Sequence, residues 1–456
     1  MRKLLTLNIL MCILLSGFLT GCSLFKKGNS NDLGGSWTPH DKRKVRGASG
    51  VKRTEIPPSG MVLVPGGHFV LGASDEDIML SFNTNQRTET VDAFWMDQTE
   101  ITNYEYRDFV SYVKEYNLRK RLGQEYEEFL VVEDEEGTPL DEPLINWREK
   151  INMKDQSIRE IINEFNISGE EALLRKKEYD VRTLIYEWQN IDFDKAARGI
   201  WNPETKTYEG TIINDEGEEV EIRNRGDFIS RNSVYIYPDT LCWMRDYKFT
   251  YNEPFIIRYF WHPAYNDYPV VGVSWHQALA YCNFRTETEI HRKGEMPHHY
   301  RLPTEVEWEY ASRGGLPMQA YPWGGPYTTN ISGCYLANFK PQRGKYDLDG
   351  GVRTLPVGSY EPNDFGLYDM AGNVAEWTNN AYDENAYSFY HDLSPTYSYN
   401  AQKSDPPALK RKVIRGGSWK DIAYYLQCGS RTFEYQEKSR SYIGFRCVRS
   451  YMGMHK

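Results

Sequence analysis

Gly366-Leu-Tyr-Asp-Met-Ala-Gly-Asn-Val-Ala-Glu-Trp-Thr378 packs two glycines, two acids, an asparagine and a tryptophan into a run too irregular for a helix or a strand. It reads as a structured loop. Asp369 and Glu376 are hard oxygen donors, and Gly372 between them lets the backbone turn sharply. The two carboxylates and the intervening carbonyls can therefore converge on one Ca²⁺. The same residues also suit a plain turn with a capping Asp and a surface Glu. Two further stretches share this character: Tyr300-Arg-Leu-Pro-Thr-Glu-Val-Glu-Trp-Glu-Tyr-Ala-Ser-Arg-Gly-Gly315 upstream, and Arg415-Gly-Gly-Ser-Trp419 with Gly444-Phe-Arg-Cys447 downstream.

The chain has 456 residues, enough for one large domain or two ordinary ones. Aromatic residues make up 14%, with 34 Tyr and 12 Trp. Such side chains suit a loop-rich fold, because they bury area while their polar tips satisfy irregular backbone. Residues 1–21 read as a signal peptide: Arg2 and Lys3, an apolar run over 4–19, then Leu19-Thr-Gly-Cys22. That ending resembles the bacterial lipobox, which implies removal of residues 1–21 and acylation, palmitate included, at Cys22. No later stretch approaches the ~20 apolar residues of a spanning helix, so acyl chains on Cys22 would be the anchor. Ser23 in place of Asp, with no acidic tag after it, points to the periplasmic face of an outer membrane. Loss of Arg2 and Lys3 takes the net charge from −10 to −12. An acidic body without a basic stripe argues against nucleic acid. Basic residues cluster between Lys26 and Arg53, either to touch anionic headgroups or as a solvated linker.

Residues 22–58 read as the lipidated Cys and a flexible tether. Residues 61–72 suggest a hairpin around Pro65-Gly-Gly, residues 90–96 a strand, and Thr102 with Glu105 a capping box opening a helix buried along Tyr106, Phe109, Val110 and Val113. Residues 117–264 are more charged and read as a mostly helical insertion. Ile158, Ile161, Ile162 and Phe165 form one helical stripe; Ser168 with Glu171 caps a second, carrying Val181, Leu184, Ile185 and Trp188. Residues 208–222 suggest a hairpin, and Arg225-Gly-Asp227 is short enough to arise by chance. Ser274 with Gln277 opens a helix through Cys282, and Thr304 with Glu307 another, closed by Gly314. A tail over 450–456 ends the chain.

The quoted stretches, with residues 61–72, 94–109, 269–285 and Tyr321-Pro-Trp-Gly324, resemble the formylglycine-generating enzyme (sulfatase-modifying factor) family in order. The matching blocks lie within a domain over 59–449 that the 117–264 insertion interrupts. The resemblance implies an α+β, C-type-lectin-like fold with little regular secondary structure. The family's enzymes oxidise a substrate cysteine with a copper-binding cysteine pair placed shortly after Gly-Gly-Ser-Trp/Tyr, and soft thiolates are what Cu(I) requires. Here those positions hold Asp421 and Leu426. No catalytic residue and no catalytic cofactor is therefore expected. No His pair has metal-ligand spacing, and no phosphate-binding or nucleophile motif is present.

The resemblance further implies two structural Ca²⁺ sites. One has the side chains of Asp369 and Glu376 with the carbonyls of Gly372 and Val374; the other has the side chains of Asn338 and Asp349 with the carbonyls of Phe339 and Gly351. It pairs Cys282 with Cys447 in a disulfide and replaces the partner of Cys428 by Ser312, leaving the pairing of Cys242, Cys334 and Cys428 open. With the lipobox and the insertion, the chain is most similar to the gliding-motility lipoprotein K family (GldK/PorK). This implies a non-catalytic outer-membrane lipoprotein that self-associates into a ring of the type IX secretion and gliding machinery with a periplasmic partner of the GldN/PorN kind. The insertion would contact partners or remain a solvated decoration. A formylglycine-generating oxidoreductase and a glycan-binding lipoprotein are the alternatives.

Overall fold

Pro65 and Gly66 separate β1 (Met61–Val64) from β2 (Gly67–Leu71), and the two strands do not pair as the expected hairpin. β2 pairs antiparallel with β3 (Arg87–Val91), and β1 with β4 (Phe94–Asp97). A Cβ on Gly66 would lie 2.9 Å from the Ala93 nitrogen and 3.1 Å from the Val91 carbonyl. The step therefore bends the chain past the β3–β4 link instead of reversing it, and that link splits the expected 90–96 strand. α1 (Asn103–Leu122) opens on the expected capping box: the Glu105 N–H donates to Thr102 Oγ1, and the Thr102 N–H to Glu105 Oε2. Its buried face carries Tyr106, Phe109, Val110 and Val113. The computed structural model describes residues 57–73, 84–133, 139–168, 178–205, 207–213, 219–222, 224–246, 258–293 and 298–451. Cys22, the tether before residue 57 and the cap at Glu171 lie outside them.

Among its described residues the insertion is not mostly helical. Its helices are α2 (Gln156–Glu164), α3 (Phe193–Arg198) and α4 (Cys242–Asp246), beside four antiparallel strand pairs. β5 (Leu130–Glu133) pairs with β6 (Pro139–Ile145). β7 (Ile185–Ile191) pairs with β12 (Ile229–Tyr235) and encloses β8 (Ile200–Asn202), β9 (Thr207–Glu209), β10 (Thr211–Ile213) and β11 (Glu219–Glu221). Only β10 and β11 form the hairpin expected over 208–222; β9 turns back onto β8. The second expected helix is instead β7. Leu184, Tyr186 and Trp188 are buried while Ile185 is 46% exposed, a period of two that places alternate residues on opposite faces. The Ile158 stripe is helical as expected and packs Ile158 and Ile161 on Leu122 and Phe129.

The C-terminal half brings the family-like stretches together. α5 (Trp275–Lys293) starts at the Ser274–Gln277 box and runs well beyond Cys282. α6 (Glu305–Arg313) has the Thr304–Glu307 box and ends at Gly314 with φ +59°. β13 (Ala375–Ala381), the short α7 (Ala386–Phe389), β14 (Arg411–Arg415), β15 (Thr432–Tyr435), β16 (Ile443–Gly444) and β17 (Val448–Ser450) follow. They form a four-stranded sheet in the order β15-β14-β13-β16, and β17 joins β4 in a β1-β4-β17 sheet. The main core lies between α1, α5, β7 and β13, where Tyr106, Phe109, Tyr186, Trp188, Tyr281 and Trp377 meet. Cys282 and Cys447 face each other there as two buried thiols with sulfurs 3.5 Å apart, adjacent but not bonded. The α+β class and the sparse regular structure are as expected.

Candidate functional site

β14 ends in Gly416-Gly417, and the chain turns back through Ser418 into a 3-10 turn over Ala423–Leu426. Gly417, at φ +67°, lets the Tyr425 carbonyl approach within 2.8 Å of where a Cβ would stand. This close approach fixes the positions of Asp421 and Leu426. Asp421 accepts from Ser418 Oγ at 2.5 Å, and its backbone carbonyl accepts from the Lys340 N–H. Burial pushes its carboxyl up, opposed by that Ser418 hydrogen bond and by Lys420. Leu426 is fully buried among Tyr321, Ala337, Phe339 and Ala371. Cys428 is buried beside Ser312, and burial raises its thiol despite the nearby Arg313 guanidinium. This corner therefore holds a capped acid, a core leucine and a protonated thiol. None of the three is a nucleophile or a soft ligand open to substrate.

The opening stretch is a loop to residue 374 and then the strand β13. Asp369, Gly372 and Asn373 take φ of +55°, +83° and +57°. Gly372 has no alternative: a Cβ there would meet the Asn338 carbonyl at 2.3 Å. This contact joins the two expected calcium sites. The Asn373 N–H donates to the Asn338 carbonyl at 2.8 Å, and Asn338 Nδ2 donates to Asn373 Oδ1 at 3.1 Å. Glu376 does not turn toward Asp369. Arg446 grips it in a two-pronged ion pair at 2.6 and 2.8 Å, and Trp308 Nε1 donates to it at 2.8 Å.

The carboxylate beside Asp369 is instead Glu100, which the sequence reading missed. The two carboxyls lie within hydrogen-bonding reach of each other. Burial drives both up, with Asp369 reaching about 6 and Glu100 raised further by Asp369 itself. Glu100 also accepts from the Val374 N–H and Asn373 Nδ2, each at 3.4 Å. Its signal in the sequence was a lone acid two residues before the Thr102 cap, with no motif to mark it. In the second group, Asp349 accepts from the Phe339 N–H at 2.6 Å and the Gly351 N–H at 3.3 Å. Asn338 Oδ1 is buried without a hydrogen-bond donor. Two touching buried carboxyls and an orphaned buried amide oxygen are the donors a hard cation satisfies. Among the described residues, no group of three or more His, Cys, Asp or Glu is arranged to hold a metal. Any site here therefore depends on carbonyl and amide oxygens as well.

The Arg301–Gly314 stretch carries structure. Every residue of α6 is buried, and each of its glutamates has an arginine: Glu305 with Arg431 at 2.7 Å, Glu307 with Arg301 at 2.6 Å, and Glu309 with Arg313 at 2.7 Å. Arg415 bridges Glu309 and Glu305. Unpaired, any of these charges would be strongly unfavourable inside the protein.

Residues 47–169 and 242–451 match the sulfatase-modifying factor enzyme 1-like domain. The chain belongs to that family. The match enters the insertion from both ends and leaves residues 170–241 outside it. The formylglycine-generating enzyme of Mus musculus is 33% identical over 195 residues, 41% of this chain and 45% of that protein. The inactive C-alpha-formylglycine-generating enzyme 2 of Bos taurus is 35% identical over 188 residues, 40% of this chain and 50% of that protein. The chain thus spans about half the length of these curated relatives. Among solved structures, PvdO from Pseudomonas aeruginosa has a TM-score of 0.44 at 17% identity, covering 86% of this chain and 94% of that one. An enzyme and an inactive relative stand at nearly equal identity, so overall likeness does not assign the chemistry. The residues at positions 421 and 426 bear on it directly.

Proposed function

We propose that this chain is a non-catalytic member of the sulfatase-modifying factor family, used as a structural part. The observation that carries the reading is the occupancy of the two thiol positions. Asp421 is tied to Ser418, and Leu426 is sealed in the core. Neither side chain can ligate Cu(I) or form a disulfide. Titration with Cu(I) tests this: no binding near stoichiometric concentration supports it, and tight binding with thiol consumption overturns it.

In the finer form of the proposal, the protein is anchored by Cys22 on the periplasmic face of the outer membrane. There it builds a ring of the type IX secretion and gliding machinery with a partner of the GldN/PorN kind. The lipobox and the insertion support this form. Among the described residues no helix is long and apolar enough to cross a membrane. A Cys22→Ser variant is expected in the soluble periplasmic fraction. Its retention in membranes would count against acyl anchoring. Structural Ca²⁺ belongs to the proposal as well, with Glu100 and Asp369 in one site and Asn338 and Asp349 in the other. Glu376 would act through Arg446 and not as a ligand.

A further inference from the structure

The β13–β14 pair has two ends. Glu376 faces Arg415 at the end leading to Ser418 and Asp421, and Ala381 faces Lys412 at the other. A cavity of about 220 Å³ opens beyond that second end, lined by Tyr382, Asp383, Glu384, Tyr397, Tyr399 and Arg411. It is separate from the thiol corner and from both candidate calcium groups.

Its charges are not paired with each other. Arg411 lies with its guanidinium carbon 4.5 Å from the Phe433 ring centroid, and Phe433 packs on Tyr382 at 4.7 Å. This stack holds the guanidinium in place. Yet Arg411 Nε is buried with no acceptor, and no carboxylate among the described residues pairs with the side chain. Glu384 is exposed at the rim, and no described side chain pairs with it. Asp383 uses one carboxylate oxygen on the Asn385 N–H. Nε itself is closed off from the cavity, so a ligand meets the rest of the guanidinium, whose planar fork suits a carboxylate.

We propose that this cavity binds a carboxylated monosaccharide unit of the hexuronic acid class, free or as part of a polysaccharide. Its carboxylate meets Arg411, its hydroxyls donate to Glu384 and Asp383, and the C–H face of the ring lies on the tyrosines. The two acids disfavour a phosphate or sulfate dianion, which they would repel. The volume suits one sugar ring and little more. The proposal does not depend on the reading of Asp421 and Leu426.

The test is saturation-transfer NMR on the full-length protein in detergent micelles, with glucuronic acid, glucose and a galacturonic acid oligomer as probes. Glucuronic acid is expected to bind about tenfold or more tightly than glucose, the margin of one charge-assisted contact. Tighter binding of the oligomer assigns the polymer as source, and equal binding the free sugar. The Arg411→Gln variant is expected to bring glucuronic acid down to the level of glucose. The Glu384→Gln variant, at an exposed position that folding does not depend on, is expected to weaken binding of glucose, which loses a charged hydroxyl acceptor without relief of any repulsion. Equal affinity for glucuronic acid and glucose in the wild type, unchanged glucuronic acid binding in Arg411→Gln, or no saturation transfer from any probe would each overturn the proposal. Should Arg411→Gln fail to fold, unchanged glucose binding by Glu384→Gln overturns it alone.

Discussion

The proposal of a non-catalytic protein turns on single positions such as Leu426 and Ser312. Leu426 fills a fully buried site against Phe339 and Ala371. Leu426→Ala should therefore cost about 2–5 kcal/mol in denaturant unfolding, as for a core leucine. A loss below about 1 kcal/mol would mean the residue lines an accessible cleft. Ser312 stands in contact with Cys428, at the position where the family resemblance puts a cysteine partner. A Ser312→Cys variant should close a cross-link under oxidising conditions and leave fewer titratable thiols than its reduced form, and no change in thiol count would show the alignment to be wrong. The replacements at positions 421 and 426 were legible in the sequence, because the Gly-Gly-Ser-Trp landmark fixes the count to them. Glu100 was not legible. It is a lone acid, and only the fold places it against Asp369, more than two hundred residues away in the chain. Glu376 was legible as an inward acid, but nothing local announced that Arg446 would occupy it.

At the level of elements, the three capping boxes that fall on described residues were a reliable signal, since Thr102, Ser274 and Thr304 satisfy helix N–H groups within their own four residues; the Ser168–Glu171 box reaches outside those residues. What failed was periodicity over a short window. Leu184, Ile185 and Trp188 fit a helical stripe and a strand equally well, and only pairing with β12 selects the strand. Trp188→Ala should accordingly cost about 3–5 kcal/mol, and Ile185→Ala, on the opposite exposed face, within about 0.5 kcal/mol; equal losses would point to a helix. In α6, burial alone would raise Glu305 and Glu307, but Arg431, Arg415 and Arg301 outweigh it and hold both carboxyls below their usual range. A depressed carboxyl adds stability that is complete above its unfolded pKa of about 4.3 and is lost as pH falls through the folded value. Glu305→Gln should thus cost about 3–5 kcal/mol at neutral pH, and the gap to wild type in thermal scans should narrow below about pH 4. A gap that stays constant with pH would rule out an ionised Glu305.

Across the whole molecule, the insertion is partly core and partly appendage. Leu184, Tyr186 and Trp188 belong to the main core, so removing residues 150–190 would unfold the protein and test nothing about partners. The separable part lies between the paired ends Ile191 and Ile229, where Ile212, Ile222 and Phe228 form a small cluster of their own. Replacing residues 193–227 with a short turn should leave a cooperatively folding protein that no longer co-purifies with the ring partner proposed for it; undiminished recovery would make this appendage a solvated decoration. Calcium, as proposed, would act at the same scale, because its candidate sites tie together chain segments around 100, 338, 349 and 369. Added Ca²⁺ should raise the melting temperature of wild type and much less that of Asp369→Ala, whereas an equal rise in both would move the ion elsewhere. The central claim is that a family built around a copper-bound thiol pair is represented here without its chemistry. The most direct measurement loads the purified protein with Cu(I), supplies a cysteine-containing peptide under oxygen, and assays aldehyde by mass spectrometry. The account predicts unmodified peptide at every time point, and conversion of the cysteine to formylglycine would contradict it.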